Sequence, residues 1–401
     1  MSRKSSLNNH RSAYVAILLL GIVSLMGDIV YEGSGGIVPD YLGFLGATEI
    51  IVGFVGGFGD FLGNAMRLVS GFLADTTRAY WIFIFLGYGL IVSMPLLGFS
   101  GGLELAIIFI LLERLGKALR SPSRDAVLSI VSKDVGAGKA FGLHELLDQI
   151  GAIAGPLLVA VLMFSSNNNY NYTFSFLFLP FTVLLVALTY TYKKIGPSVA
   201  IEIPKAKDNR EKLAKSFYIY TFAIVLNTVG LMSAKLILFK ASEILRPVNQ
   251  QWIVPLIYLL IQGIDAPTAL FSGYAYDKFG LKVLAVPFTL SLFPSLLVMS
   301  NDELSTLIVA SVFFGLVLGM QESIYRAAVS ELTPISLRGT AYGVFNTAYG
   351  FGLLISGTVF GLLMALRPPF ILVIFYVAIM QITATALLLN IRSKLQPKNS
   401  G

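Results

Sequence analysis

Residues 70–75, "SGFLAD", return as "SGYAYD" at 272–277, and the distance between them decides how the whole chain is organised. Two other segments repeat with them. "SRDAVLS" at 123–129 answers to "YRAAVSE" at 325–331, and "GKAFG" at 138–142 to "GTAYG" at 339–343, each pair 201 or 202 residues apart. One long, constant offset marks a duplicated half rather than a short stacked repeat. The chain therefore reads as a half at 1–192, a polar connection at 193–215 and a second half at 216–401.

Between these landmarks the sequence is apolar. Hydrophobic residues make up 56% of the 401 and charged residues only 13%, and the mean hydropathy is +0.77, outside the range of soluble domains. Apolar stretches near 14–38, 48–73, 79–99, 103–121, 137–163, 172–192, 216–241, 251–275, 281–300, 304–325, 338–364 and 368–391 are each long enough, or nearly so, to cross a hydrocarbon core of about 30 Å as a helix. The expected fold is an all-α membrane protein of twelve transmembrane helices, numbered here in chain order. Six helices per half is an even number, so both halves enter the membrane from the same side and the repeat is parallel.

Basic residues set the orientation, because Lys and Arg collect in cytoplasmic loops. Arg3, Lys4 and Arg11 precede helix 1, Lys133 and Lys139 lie between helices 4 and 5, and Lys193, Lys194, Lys205, Lys207, Arg210, Lys212 and Lys215 fill the central connection. Both termini are expected in the cytoplasm, with the protein spanning the cell membrane. The net charge of +7 then reports topology and contact with lipid headgroups, with no nucleic-acid partner. No cysteine is present, and no metal constellation, P-loop or repeated selectivity filter appears, which argues against an enzyme or a channel. No cofactor is implied.

Ionisable residues inside the stretches each need a reason, since one at the bilayer centre costs about 2.5–3.5 kcal/mol even on a lenient scale. Asp28 and Glu32 share a face of helix 1; Asp60 and Arg67 lie on helix 2; Arg114 is on helix 4, His144 and Asp148 on helix 5, Lys235 on helix 7, Asp265 on helix 8 and Glu322 on helix 10. Two readings stand for them: a central cavity in which carboxylates exchange protons with substrate, or interhelical pairing. Asp28 and Glu32 favour the first, as neighbouring acids suited to proton uptake. Arg114 is a potential partner of Asp28, Asp60 or Asp148; Lys235 and Asp265 are candidates for an ion pair, as are Glu322 and Arg326.

"GFLADTTR" after helix 2, "GAIAGP" in helix 5, "ERLGKALRSPSRDA" with "KAFGLHELLDQIGAIAGP", and "QESIYRAAVSELTPISLRGTAYG" in the second half together resemble the major facilitator superfamily, over nearly the whole chain. The resemblance implies the major facilitator fold, two parallel-related six-helix halves working by alternating access, and usually a monomer. It likens Gly151, Gly155 and Pro156 to the antiporter motif of helix 5, and Arg114 to a helix 4 arginine associated with proton transfer. It gives Asp75 and Arg124, with their repeat partners Asp277 and Arg326, the part of a cytoplasmic gate. The implied function is a secondary transporter for a small molecule, coupled to protons or Na+ and exporting by antiport, with a drug or metabolite as cargo. The alternatives are a proton symporter for a nutrient such as a sugar or organic acid and, in another class, a channel or membrane sensor.

Overall fold

The computed structural model describes residues 2–132, 135–196, 212–334 and 337–395; Lys133, Lys205, Lys207 and Arg210 lie outside them, as do the side chains of Arg3, Lys4 and Arg11. The described residues are helical almost throughout and contain no strand, as expected where a backbone must satisfy its own hydrogen bonds. Helices occupy all twelve apolar stretches: helix 1 at Ser2–Phe44, 2 at Glu49–Thr77, 3 at Tyr80–Phe99, 4 at Leu103–Val131, 5 at Ala137–Ser165, 6 at Tyr170–Ile195, 7 at Lys215–Val248, 8 at Val254–Phe279, 9 at 280–300, 10 at Leu304–Glu331, 11 at Arg338–Leu366 and 12 at Phe370–Leu395. Nine segments among the described residues are long and apolar enough to cross a membrane, one of them, Gln251–Ser300, holding helices 8 and 9. Helices 2 and 4 fall outside that set. They carry Asp60 with Arg67, and Glu113, Arg114, Lys117 and Arg120.

Helix 4 continues ten residues past its expected end at 121, through Pro122 to Val131. Within the run "RDAVLSIV", Val127 and Leu128 are buried. Arg124 consequently stands two turns inside the helix rather than at its end. Helix 7, by contrast, is interrupted: Lys215–Val229 and Ala234–Leu245 are separate segments around residues 230–233. Side chains satisfy the freed backbone groups, which is the condition for a break in a spanning helix. The Ser295 hydroxyl accepts from the Met232 amide at 2.8 Å and donates to the Gly230 carbonyl at 3.1 Å; Ser356 donates to Leu231 at 2.5 Å and Tyr376 to Val229 at 2.9 Å.

By density of packing the chain forms two compact units, residues 1–41 with 66–205 and residues 42–65 with 206–401. Each has a glycine seam. In the first, Gly151 of helix 5 lies against Leu25 and Asp28 of helix 1, and Gly155 against Ile29 and Gly33. In the second, Gly53 and Gly57 of helix 2 lie against Leu353, Leu354, Gly357 and Gly361 of helix 11. Without a side chain the backbones meet directly, which replaces the hydrophobic drive that lipid cannot supply.

A methyl group added at Gly155 would sit 2.7 Å from the Ile29 carbonyl oxygen, whereas one at Gly142 meets nothing within 4 Å. Gly155→Ala is expected to lower stability by about 1–3 kcal/mol through overpacking. Gly142→Ala should leave it unchanged or slightly higher. Thermal unfolding of the two purified variants checks the pair.

Candidate functional site

Helix 4 brings its bases to one side through their spacing: positions 114, 117, 120 and 124 recur every three or four residues, the spacing that aligns side chains on a helix. Facing them on helix 1 are Ser24, Asp28, Tyr31 and Glu32, again three to four apart. Helix 5 adds His144 and Asp148.

Tyr31 lies among three of the bases. The Arg114 guanidinium donates to its hydroxyl and stands 5.1 Å from the ring centroid, the Lys117 ammonium 3.9 Å and the Arg120 guanidinium 5.9 Å away. Such cation–ring contacts strengthen where water is excluded. Arg120 also faces the Tyr88 ring at 5.2 Å. Glu113, 1% exposed, is 3.6 Å from Arg114 and 3.8 Å from Arg120, itself 3% exposed.

Arg124 closes the other end of the cluster. It donates to the Ser24 hydroxyl at 2.8 Å, lies 2.9 Å from Asp125 and reaches Asp148 at 3.5 Å. Tyr88 donates to the same Ser24 at 3.4 Å. His144 is buried with Nδ1 3.4 Å from Asp148, while its Nε2 and the Asp148 Oδ1 have no hydrogen-bond partner. Asp28 lies within electrostatic reach of Asp148, Glu32, Lys117 and Arg120, and Arg67 within reach of Lys117.

Asp28, Glu32, Arg67, Arg114, Arg124, His144 and Asp148 are thus brought together in the first unit. The remaining candidates lie elsewhere. Lys235 of helix 7 meets helix 2. It donates to the Asp60 carboxylate, and at 3.1 Å to the Gly56 carbonyl. The reason is steric, because Gly56 lacks a side chain and the lysine methylenes fill that space. Asp265 is buried on helix 8. Glu322 and Arg326 are exposed on helix 10, where residues 321–325 form a π turn, a distortion often found at functional sites. Asp75 and Asp277 are exposed near the ends of helices 2 and 8, and Asp75 accepts from the Tyr80 hydroxyl at 2.6 Å.

Sequence reasoning missed Lys117, Arg120, Tyr31 and Ser24, although the regular spacing of bases along helix 4 was a signal for the first two. It also missed a neutral network in the second unit. Asn227 donates to Gln381 at 2.7 Å and accepts from Tyr325 at 2.6 Å; Gln381 donates back to the Asn227 carbonyl at 3.0 Å, and Tyr349 bonds Gln321 at 3.0 Å. Single polar residues in apolar helices carry no charge pattern that would have flagged them.

A family model described as Major Facilitator Superfamily matches residues 217–401. An uncharacterised protein of Mycobacterium tuberculosis is 33% identical over 87% of both chains. An uncharacterised MFS-type transporter of Methanocaldococcus jannaschii is 28% identical over 96% of both. The crystal structure of the nucleoside transporter NupG has the same fold, with a TM-score of 0.68 at 13% identity over 96% of this chain and 100% of that one.

Removing one partner of a partly buried pair leaves the other charge uncompensated. Lys235→Met or Asp60→Asn alone is expected to cost about 2 kcal/mol, and the double variant less than the sum of the two, in a thermal-unfolding cycle. From helix 7, the Lys240 ammonium hydrogen-bonds the carboxylate of Asp302, in the loop before helix 10, and holds it below its ordinary pKa. A lowered folded pKa stabilises above the unfolded value of about 3.9 and is lost as pH falls through the folded value. Asp302→Asn should therefore lower the melting temperature at pH 7, and the difference from wild type should shrink below about pH 4.

Proposed function

The chain belongs to the major facilitator superfamily and is an integral membrane transporter; from that premise we propose that it is a proton-coupled antiporter that exports a small molecule, a drug or metabolite. It works in the cell membrane as a monomer with both termini cytoplasmic, and residues 1–192 and 216–401 alternate access about the linker 193–215.

The observation that carries this reading is the meeting of Asp28, Glu32 and Asp148 with the bases of helix 4 and with His144, all in one unit. Acids that share a site favour sharing a proton, and a proton arriving on one of them changes which base the others can hold. Asp148 is the clearest case. Ionised, it draws Arg124 toward helix 5 while Arg124 also binds Ser24 of helix 1. Protonated, it loses its hold on Arg124, and the tie between helices 1, 4 and 5 loosens. Asp75, Arg124, Asp277 and Arg326 act as the cytoplasmic gate, and Arg124 connects that gate to the carboxylates. Asp60 with Lys235, Asp265 and Glu322 serve the second half in the same cycle. Gly151, Gly155 and Pro156 support the export direction by their likeness to the antiporter motif.

One observation favours symport instead. Lys117 lies 3.9 Å from Glu32, so a proton on Glu32 would release the lysine for cargo, and proton and cargo would load together.

Proton flux separates the two. With cationic drugs, sugars or organic acids added outside energised inside-out vesicles, antiport collapses the acid-inside gradient for wild type and leaves it for Asp28→Asn. A compound that instead alkalinises the medium around right-side-out vesicles makes the protein a symporter. Equal proton flux in Asp28→Asn removes Asp28 from the coupling path.

A further inference from the structure

Lys117 and Arg120 lie one turn apart on helix 4 and face the same Tyr31 ring. Neither donates a hydrogen bond to any described residue. The nearest carboxylate oxygen to the Lys117 ammonium belongs to Glu32, at 3.9 Å, and the nearest to Arg120 belongs to Glu113, at 3.8 Å. Charge-assisted hydrogen bonds close to about 2.7–2.9 Å, so both cations are compensated in charge without a close hydrogen bond to a carboxylate, and Lys117 is left to solvent. For Arg120 the lack is explicit, since its Nη1 is buried without a partner, a condition that costs free energy until something accepts the proton.

The surroundings set the sign of the missing ligand. Arg67 is within electrostatic reach of Lys117 and Arg114 shares the Tyr31 ring with it, while Glu32 and Asp28 lie within reach of Lys117 and Glu113 lies between Arg114 and Arg120. A cationic cargo would meet bases already placed around Tyr31, while an anionic one would find donors with unused hydrogens. The approach is graded: the Lys117 side chain is 30% exposed and Glu32 13%, against 4% for Arg120 and 2% for Glu113. Lys117 is the open donor and Arg120 the enclosed one.

We infer that Lys117 and Arg120 form the binding site for an anionic cargo bearing a carboxylate, with Tyr31 as the wall between them and Glu32 as the counter-ion that the cargo displaces from Lys117. One carboxylate oxygen accepts from the ammonium and the other from the planar guanidinium, a division that suits a point donor beside a fork. This rests on the transporter reading and supplies its substrate class, which that reading leaves among drugs, sugars and acids. The site itself is independent of transport direction, because Glu32 competes with the cargo whichever way the carrier turns.

The test is binding to the purified protein in low-salt buffer, read as saturable thermal stabilisation by benzoate, by succinate and, as the cationic control, by tetraphenylphosphonium. At least one carboxylate should stabilise wild type in a saturable way. Glu32→Gln, which removes the competitor, should tighten that binding by about tenfold, and Lys117→Gln should weaken it by about tenfold or more. Lys117 is the partly exposed member, so its variant keeps the fold, which its unliganded melting temperature verifies. Three results overturn the inference: no carboxylate binding in either wild type or Glu32→Gln, equal binding in Lys117→Gln, or saturable binding of tetraphenylphosphonium alone. Proton flux in vesicles is a separate readout. Loss of anion binding with flux intact rejects this site only, and anion binding without flux rejects proton-coupled transport only.

Discussion

A charge removed from water must find an opposite charge or a hydrogen bond within a few ångströms, and helix 4 places four bases where water is scarce. Much of the first unit follows from that requirement. Glu113 lies between Arg114 and Arg120, Tyr31 offers its ring to three cations and its hydroxyl to one, and Ser24 with Asp148 receives Arg124. Several of these contacts fall between 3.5 and 3.9 Å, long for hydrogen-bonded pairs. A tighter set would hold the bases in one arrangement.

The glycine seams make this clustering reachable. Gly151 and Gly155 let helix 5 touch the backbone of helix 1 at Leu25, Ile29 and Gly33, and so bring the helix carrying Asp148 and His144 against the one carrying Asp28. Larger residues there would separate the acids from each other and from helix 4. The motif that by resemblance suggests export therefore also has a local structural task.

The second unit meets the same constraint differently. At an offset of 202 residues, Arg114 corresponds to Leu316, Lys117 to Gly319, Arg120 to Glu322 and Arg124 to Arg326, so the basic stripe of helix 4 is not repeated on helix 10. Its polar interior is built from Asn227, Gln381, Tyr325, Gln321 and Tyr349, together with the hydroxyls that satisfy broken helix 7. Neutral amides and hydroxyls can be satisfied at little electrostatic cost, which suits a region where backbone is exposed by a break. The charged contact beside it, Lys235 with Asp60, is seated by the absence of a side chain at Gly56.

The sequence alone determined the class of the molecule, an all-helical membrane protein with twelve apolar stretches, because hydropathy is a property of the chain read in order. It also singled out Asp28, Glu32, Arg114 and Asp148, since a charge in an apolar run stands out wherever it points. Tertiary structure decided which charges meet. Lys235 met Asp60 where a glycine left room for its stem, and Arg124 reached Ser24 and Asp148 because helix 4 ran on past Pro122. Lys117 and Arg120 meet at Tyr31, which stands beside Glu32 in the sequence but carries no charge to draw notice. Partner choice depends on the distance and direction between different helices, and no periodicity within one helix encodes those.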